Sequence, residues 1–242
     1  QSWGLTDVGC VRKQNQDAFH IEKLDRHSLL AVVCDGMGGA KSGNVASSLA
    51  VDVFVQEVTR NWTSQTDWDK CDMILRSAVK LANFTVYDQA CQFEEFSGMG
   101  TTLVAAVIRK NQASIINVGD SRCYAITNGS IRQVTKDHSV VQMMVDRGDL
   151  TPETAKTFPG KNLITRAVGT EPTILSDIYR QDLEKGSFLF LCSDGLSNML
   201  DDQEILFEVV HGVKKQNCCK RLLNIAKMRG SPDNVTSILV SV

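Results

Sequence analysis

The sequence predicts an α+β fold, in which strands and helices occur in separate groups along the chain. Two continuous apolar runs, Leu29–Cys34 and Ser187–Cys192, are typical of strands that are buried on both faces. Helical patterns follow the first run and recur near the end of the chain, whereas the segment between them shows the composition of strands. This order favours a layered architecture over repeated βαβ units.

The first part of the predicted fold combines one buried strand with two helices. The run Leu29–Cys34 ends at Asp35-Gly36, a dipeptide typical of a turn. Apolar residues then recur at helical spacing and predict a helix with one buried face, formed by Ala46, Leu49, Ala50, Val53 and Phe54. A second helical pattern predicts that Ile74, Ala78, Leu81 and Ala82 lie together on a buried face.

Strands dominate the middle of the chain. The predicted strands are Thr102–Ile108, Ser114–Val118 and Arg122–Ile126. Asn128-Gly129 lies between two strand-like segments, 123–127 and 130–134. This dipeptide predicts a two-residue hairpin because both residues tolerate positive φ.

Residues 140–169 are more polar and irregular than the segments on either side. A short helix is predicted at Val140–Arg147, and a turn at Phe158-Pro159-Gly160. A stretch of this kind between strands is a candidate for a mobile flap.

The last part of the chain returns to one buried strand, helices and a closing strand. The run Ser187–Cys192 leads to Asp194, and Asp201 with Glu204 matches a capping box at the start of a helix. A last helix is predicted to end near Met228, with Gly230 capping its end. Val235–Val242 is predicted to be the final strand.

Composition bounds the class of protein. The chain has 242 residues, of which 43% are hydrophobic, and no linker divides it, so we expect a single domain over residues 1–242. Its net charge of −2 argues against nucleic-acid binding, and its apolar runs are shorter than the roughly 20 residues that span a bilayer. The eight cysteines form no Cys-x-x-Cys motif, so we expect reduced thiols in a cytoplasmic protein. A monomer is the default expectation.

Four aspartates lie in short motifs that are rich in glycine or serine and are spread over nearly the whole chain. The motifs are Cys34-Asp35-Gly36-Met37-Gly38-Gly39, Val118-Gly119-Asp120-Ser121-Arg122, Cys192-Ser193-Asp194-Gly195 and Ser231-Pro232-Asp233-Asn234. Three of them follow or touch predicted buried strands. Carboxylates that rigid strands bring together are suitable ligands for Mg²⁺ or Mn²⁺, which prefer oxygen. The pattern therefore predicts a metal-dependent hydrolase.

A fifth motif indicates the group that is hydrolysed. Arg12-Lys13-Gln14-Asn15-Gln16-Asp17 precedes the first apolar run. Arginine presents a planar fork that binds phosphate oxygens at two points. Alone, Arg12 is more typical of a solvated surface residue, but together with the aspartate motifs it points to phosphate chemistry.

The combined motifs resemble those of the bacterial PP2C-type (PPM) serine/threonine phosphatases. They occur in the order and at the approximate spacing of that family and cover essentially the whole chain. Besides the aspartate motifs and Arg12…Asp17, they are Gly98-Met99-Gly100-Thr101-Thr102, Asp137-His138-Ser139, Ile164-Thr165-Arg166-Ala167-Val168-Gly169 and Asp233-Asn234-Val235-Thr236. The resemblance implies a four-layer α-β-β-α sandwich of two antiparallel sheets, with a metal centre at one end.

The resemblance also implies a role for each motif residue. Asp35 would bridge two Mg²⁺ or Mn²⁺ ions, the Gly36 carbonyl would help to bind one of them, and Asp194 and Asp233 would hold the other. Asp120, with Asp194, would contribute to a third metal site. Asp17 would act through metal-bound water, and Arg12 would bind the phosphate of the substrate. Two such ions activate a water molecule for direct attack on phosphorus, so no nucleophilic side chain is required.

The chain departs from the family pattern at several positions. Ala40 stands where relatives carry a histidine, a candidate proton donor to the leaving group, and Asn44 stands where a glutamate is frequent. Phe158-Pro159 replaces His-Pro in the flap, and Gln16 replaces an acidic residue of some relatives. His138 is interpreted as structural. We therefore expect a lower kcat than in a relative that carries the histidine, with little change in metal affinity.

The leading hypothesis is a phosphatase that acts on phosphoserine and phosphothreonine in proteins and opposes a bacterial Ser/Thr kinase. Two alternatives stay open at this point. One is a pseudophosphatase that binds phosphoproteins or a partner without turnover, which Ala40 and Asn44 favour and the four aspartates oppose. The other is a hydrolase of small phosphate esters, which differs only in what the flap admits.

Overall fold

The computed structural model of the protein describes residues 1–38 and 42–242, in which eleven strands and seven α-helices occur. The strands are β1 (Ser2–Asp7), β2 (Asp17–Lys23), β3 (Ser28–Met37), β4 (Gly100–Thr101), β5 (Leu103–Arg109), β6 (Gln112–Val118), β7 (Arg122–Thr127), β8 (Ser130–Gln133), β9 (Asp177–Asp182), β10 (Phe188–Cys192) and β11 (Val235–Ser241). The helices are α1 (Gly43–Asn61), α2 (Trp68–Gln92), α3 (Val140–Arg147), α4 (Pro152–Ala155), α5 (Asp194–Ser197), α6 (Asp202–His211) and α7 (Cys218–Met228).

The strands form two antiparallel sheets. One sheet has the order β1-β11-β10-β7-β8, and the other has the order β2-β3-β5-β6-β9, with the short β4 paired to β3. Side chains alternate between the two faces of each strand. In β10, for example, Leu189 and Leu191 face one apolar cluster while Phe190 and Cys192 face another. Each central strand is thus apolar on both faces, which explains the continuous apolar runs.

Three apolar clusters separate four layers. The cluster between the sheets contains Ala31, Val33, Ala106, Leu191 and Ile238. Helices α1 and α2 cover the outer face of the β3 sheet, whereas α5, α6 and α7 cover the outer face of the β10 sheet. The α+β class and the α-β-β-α order of layers are therefore confirmed.

Several local predictions are confirmed in detail. Helix α3 has the predicted bounds, and Asn128 and Gly129 adopt φ values of 52° and 73° in the hairpin between β7 and β8. The capping box is present, since the Glu204 amide donates to Asp201 Oδ1 and the Asp201 amide donates to Glu204 Oε2. Helix α7 ends at Met228, and Gly230 follows it with a φ of 78°.

Three strands of six or seven residues, β1, β2 and β9, and the two-residue strand β4 were not predicted, and one predicted contact is wrong. All three strands lie at sheet edges, where partial exposure permits polar residues and hides the strand pattern. Leu81 is 42% exposed rather than buried with Ala78 and Ala82. The buried face of α2 is centred further round the helix, on Leu75 and Val86, so Leu81 falls outside it.

Two expectations about the whole chain were tested in the described residues. All eight cysteines lie there and carry free thiols. Among the helices of that part of the chain, none is both long enough and apolar enough to cross a membrane.

Candidate metal centre

One end of the sandwich collects the sequence-predicted carboxylates, because several strands begin or end there. Asp17 begins β2 and lies opposite Asp35 near the end of β3 in the antiparallel register. Asp120 follows β6 and Asp194 follows β10, while Asp233 precedes β11. These five aspartates are called the carboxylate cluster below. Five distant segments of sequence thus meet at the same end of the two sheets.

The backbone around Asp35 is fixed on both sides. Its amide donates to Thr102 Oγ1 at 2.9 Å, and its carbonyl accepts from the Thr102 amide and from Thr101 Oγ1, both at 2.9 Å. The next residue, Gly36, allows a close approach, because a Cβ there would lie 2.6 Å from the Gln16 carbonyl oxygen. Gly36 therefore lets the Asp17 segment pack directly against β3.

Asp17 is buried between the two sheets. Its Oδ2 accepts a hydrogen bond from Ser193 Oγ at 2.7 Å and another from Thr236 Oγ1 at 2.6 Å. Its Oδ1 is buried and has no hydrogen-bond partner among the described residues.

Asp194 and Asp233 are brought together by the close approach of Gly195 to β11. A Cβ on Gly195 would overlap the Asn234 carbonyl oxygen, so only glycine fits there. Asp194 Oδ2 accepts from Asn198 Nδ2 at 3.0 Å, and Asp194 Oδ1 is buried without a partner in the described structure. The Asp233 side chain is 32% exposed, and its Oδ2 accepts a hydrogen bond from Arg12 Nη2 at 2.9 Å.

Arg12 lies at the rim of the carboxylate cluster. Its side chain is 51% exposed, and its Nη2 forms the ion pair with Asp233. Asp35 and Asp194 also act on Arg12 through their charges, and with Asp233 they raise the pKa of its guanidinium. The structure therefore places a permanently charged fork beside the carboxylates, where one side chain can hold an anion above them.

Asp120 is held by the loop that follows β6. The Gly119 amide donates to His138 Nδ1 at 3.0 Å, and the His138 amide donates to the Gly119 carbonyl at 2.9 Å. Ser121 Oγ lies 2.7 Å from Thr102 Oγ1, which links this loop to the Asp35 backbone. His138 is 7% exposed and supports the loop, in agreement with its interpretation as structural.

The carboxylate cluster resists full ionisation. Burial, together with the charges of Asp194 and Asp233, raises the pKa of Asp17 to about 7 in spite of its two hydroxyl donors. Burial, with the charges of Asp194 and Asp137, raises the pKa of Asp120 to about 8. Burial and the charge of Asp17 also hold the pKa of Asp35 well above its usual range, and burial raises that of Asp194. Carboxylates of like charge lie close together in a partly buried site, and this arrangement disfavours their joint ionisation.

The chemistry of this donor set fits a hard divalent cation. Within residues 1–38 and 42–242, no three Asp, Glu, His or Cys side chains stand ready in a metal-binding arrangement. Burial and the charges of Asp17 and Asp194 instead raise the pKa of Asp35, and Asp233 is paired with Arg12. However, the unpartnered buried oxygens of Asp17 and Asp194 and the raised pKa values are what oxygen ligands of a cation show.

Hydroxyl and amide residues around the carboxylates were missed by sequence reasoning. Ser193, Thr236, Thr102 and Asn198 all hydrogen-bond an aspartate of the cluster through side chain or backbone. Ser193, Thr236 and Thr102 lie in motifs of the family resemblance, which was the available signal, whereas Asn198 lies outside them. Which aspartate each one contacts depends on the packing of the two sheets, and the sequence does not encode that locally.

The structure describes three of the four positions at which the sequence departs from the family pattern. Ala40 lies outside the described residues. Asn44 lies in the first turn of α1, and Phe158 lies in the turn Phe158-Pro159-Gly160, where the Lys161 amide donates to the Phe158 carbonyl. The Gln16 backbone bridges three segments, since its amide donates to Asn234 Oδ1 and its carbonyl accepts from the Gly36 amide and Ser47 Oγ.

The sequence is similar to those of named phosphatases over almost its full length. A family model described as protein phosphatase 2C matches residues 11–224. A serine/threonine phosphatase stp of Listeria welshimeri is 35% identical over 97% of this chain and 93% of its own length. Protein phosphatase PhpP of Streptococcus pneumoniae is also 35% identical, over 98% of this chain and 96% of its own length.

Solved structures give the same result at the level of the fold. A serine/threonine phosphatase of S. agalactiae superposes with a TM-score of 0.92 at 32% identity, covering 100% of this chain and 99% of the other. The serine/threonine phosphatase PstP/Ppp of Mycobacterium tuberculosis gives a TM-score of 0.89 at 31% identity, covering 99% and 97% of the two chains.

Proposed function

The chain belongs to the protein phosphatase 2C family, whose members are metal-dependent phosphoprotein phosphatases, and from that premise we propose which residues perform the reaction. We propose that the carboxylate cluster binds two Mn²⁺ or Mg²⁺ ions, which Asp35, the Gly36 carbonyl, Asp194 and Asp233 would hold. Asp120, with Asp194, would contribute to a third metal site. Asp17 orients water, and Arg12 binds the phosphate of phosphoserine or phosphothreonine.

One observation carries this proposal. Two buried carboxylate oxygens, Asp17 Oδ1 and Asp194 Oδ1, lack partners among the described residues although they lie in a group of five aspartates. Removing one polar atom from water without a partner costs about 1–3 kcal/mol. A bound divalent cation would give Asp194 Oδ1 its missing partner, and water held by the ion would give Asp17 Oδ1 its partner. The positive charge would also offset the repulsion between the carboxylates of the cluster.

Bound divalent ions supply an activated water molecule and neutralise negative charge on the phosphoryl group. Residues of this chain bind the phosphate and orient the carboxylates. Arg12 has guanidinium N–H groups beyond the one that Asp233 accepts, so it can bind two phosphate oxygens while staying at the rim. Asn198 holds one oxygen of Asp194 and leaves the other directed into the cluster. Such fixed donors and charges need no reorganisation during the reaction.

The wider role follows from the same proposal. We propose that residues 1–242 act as one phosphatase domain, that residues of about 140–169 form a flap that selects protein substrates, and that these include a Ser/Thr kinase. The eight free thiols support a reducing, cytoplasmic setting. We propose a monomer, which light scattering after gel filtration tests directly.

The test uses two substrates with the intact chain. With Mn²⁺, it should hydrolyse p-nitrophenyl phosphate and a phosphothreonine peptide, and EDTA should stop both reactions. Inhibitors of the okadaic-acid type should have no effect. Turnover of the small ester without the peptide would favour a small-ester hydrolase, and turnover of neither would favour a phosphoprotein-binding pseudophosphatase.

A further inference from the structure

A closed ring of hydrogen bonds surrounds Asp17 and joins the two sheets. Thr236 Oγ1 in β11 donates to Asp17 Oδ2 at 2.6 Å, and Thr6 Oγ1 in β1 lies 2.7 Å from Thr236 Oγ1. Asn15 Nδ2 donates to Thr6 Oγ1 at 2.8 Å, and the Asp17 amide donates to Asn15 Oδ1 at 3.1 Å. The ring therefore begins and ends at the same aspartate.

The acceptor chemistry fixes the direction of each bond. An ionised carboxylate only accepts, so the hydroxyl proton of Thr236 must point to Asp17. Thr236 Oγ1 can then only accept from Thr6, and Thr6 Oγ1 accepts from Asn15. Along this series of hydrogen bonds, from Asn15 through Thr6 and Thr236 to Asp17, every donated proton therefore points toward the carboxylate.

Ser193 gives the same oxygen a second donor from another strand end. Its Oγ donates to Asp17 Oδ2 at 2.7 Å and accepts from the Thr236 amide at 3.0 Å. Ser193 and Thr236 are both 0% exposed, so no water competes for these bonds. Oδ2 is saturated by two hydroxyls, whereas Oδ1 stays buried without a partner in the described residues.

We propose that Thr236 and Ser193 are positioning residues that fix the side-chain torsion of Asp17. Oδ2 then stays hydrogen-bonded to the protein, and Oδ1 is the oxygen that faces the metal centre. Thr6 and Asn15 hold Thr236 in turn. The inference rests on the proposed function of the carboxylate cluster and assigns a task to hydroxyls that none of the metal-binding roles require. Hydrogen bonds to a charged group are the strong ones, so losing one frees a buried carboxylate to rotate.

Thr236→Val is the direct test, because valine keeps the shape and removes only the hydroxyl. We expect kcat for p-nitrophenyl phosphate to fall about tenfold while KM changes less than twofold, since Arg12 still binds the phosphate. Calorimetric titration with Mn²⁺, without substrate, should show binding about fivefold weaker. Thr236→Ser should recover most of both losses. Thr127→Val is the matched control: this threonine bonds Ser187 Oγ at 3.1 Å at the far end of the sheet and should change neither quantity.

A double-mutant cycle separates positioning from a general loss of structure. If Thr236 acts through Asp17, then Thr236→Val should change kcat less than twofold in an Asp17→Ala background. Equal effects of Thr236→Val in both backgrounds, or wild-type kcat and Mn²⁺ affinity in Thr236→Val, would overturn the proposal. Should the valine variant fail to fold, Ser193→Ala removes the other donor and is subject to the same criteria. Absence of turnover in the wild-type protein would instead contradict the proposed function.

Discussion

The two ends of the sandwich differ in how their charged side chains are paired. At the end opposite the carboxylate cluster, Arg109 stacks on Trp68 at 4.7 Å, and Arg180 lies over the same ring at 5.4 Å. Arg180 also forms a two-point ion pair with Asp72, whose Oδ1 accepts from Ser114. Here each arginine has an aromatic ring, and Arg180 a carboxylate partner as well.

At the cluster end, the five carboxylates lie near two arginines, Arg12, which pairs with Asp233, and Arg122, which pairs with Asp137. Two buried carboxylate oxygens still have no partner in the described structure. The same chain is therefore able to pair partly exposed charges where stability alone is at stake. Uncompensated charge at one end marks the end where a ligand is required.

The largest effect is expected from Asp194→Ala at the cluster end. This change removes the carboxylate whose charge acts on Asp35, Asp120 and Asp17 together, and we expect kcat to fall by at least about 10³-fold. Asp182→Ala is the matched control, since that carboxylate is exposed at the opposite end and bonds Gln112. Steady-state assays with Mn²⁺ measure both. Comparable losses in the two variants would remove the functional meaning of the contrast.

The central strands and the location of the cluster could be predicted because burial leaves a local mark. β3 and β10 are apolar on both faces, and the aspartates that follow these runs are where a strand has to leave the core. Edge strands β2 and β9 carry mixed side chains, so nothing in their sequence distinguishes them from loops. The partners of Asp17 were hidden for another reason. Thr236 and Ser193 reach it only because two sheets pack together, and hydroxyl residues are common in strands.

A gain of function is expected from Ala40→His, which adds a titratable group beside the Asp35 motif. The family resemblance implies a proton donor at this position, and general acid catalysis is typically worth 10²–10⁴-fold. We expect a smaller gain in kcat, of about tenfold, because the surrounding residues have not been adapted to the imidazole. Mn²⁺ affinity should stay within twofold of the wild type. An unchanged kcat between pH 6 and pH 9 would show that leaving-group protonation does not limit this chain.

Metal removal should make stability depend on pH through the cluster. Unfolded aspartates titrate near 3.9, but the folded protein raises the pKa of Asp17 to about 7 and that of Asp120 to about 8. Between the unfolded and the folded pKa values, the folded state holds protons that the unfolded state has released. The free energy of unfolding is therefore highest at low pH and decreases as the pH rises toward the folded pKa values. Each retained proton contributes a slope of up to about 1.4 kcal/mol per pH unit.

The cleanest window is pH 6.5–8, since burial lowers the pKa of His138 and this residue adds no slope above its unfolded value. In EDTA, the free energy of urea unfolding should decrease across this window. With Mn²⁺ the decrease should vanish or reverse, because a cation that displaces the protons binds more tightly as pH rises. Asp120→Asn should reduce the slope in EDTA. Identical pH profiles with and without Mn²⁺ would contradict the assignment of the cluster.

The smallest effect on catalysis is expected from Trp68→Ala at the opposite end. The change removes the ring that Arg109 and Arg180 both contact and should lower the free energy of unfolding by about 1–3 kcal/mol, less than for a fully buried tryptophan. Trp68→Phe keeps a ring at this position and should recover part of the loss. Neither variant should alter kcat or Mn²⁺ affinity by more than twofold, because compensated charge at this end has no part in binding the ion. A tenfold loss of kcat at unchanged stability would mean that the two ends are coupled, and the contrast between them would no longer separate stability from function.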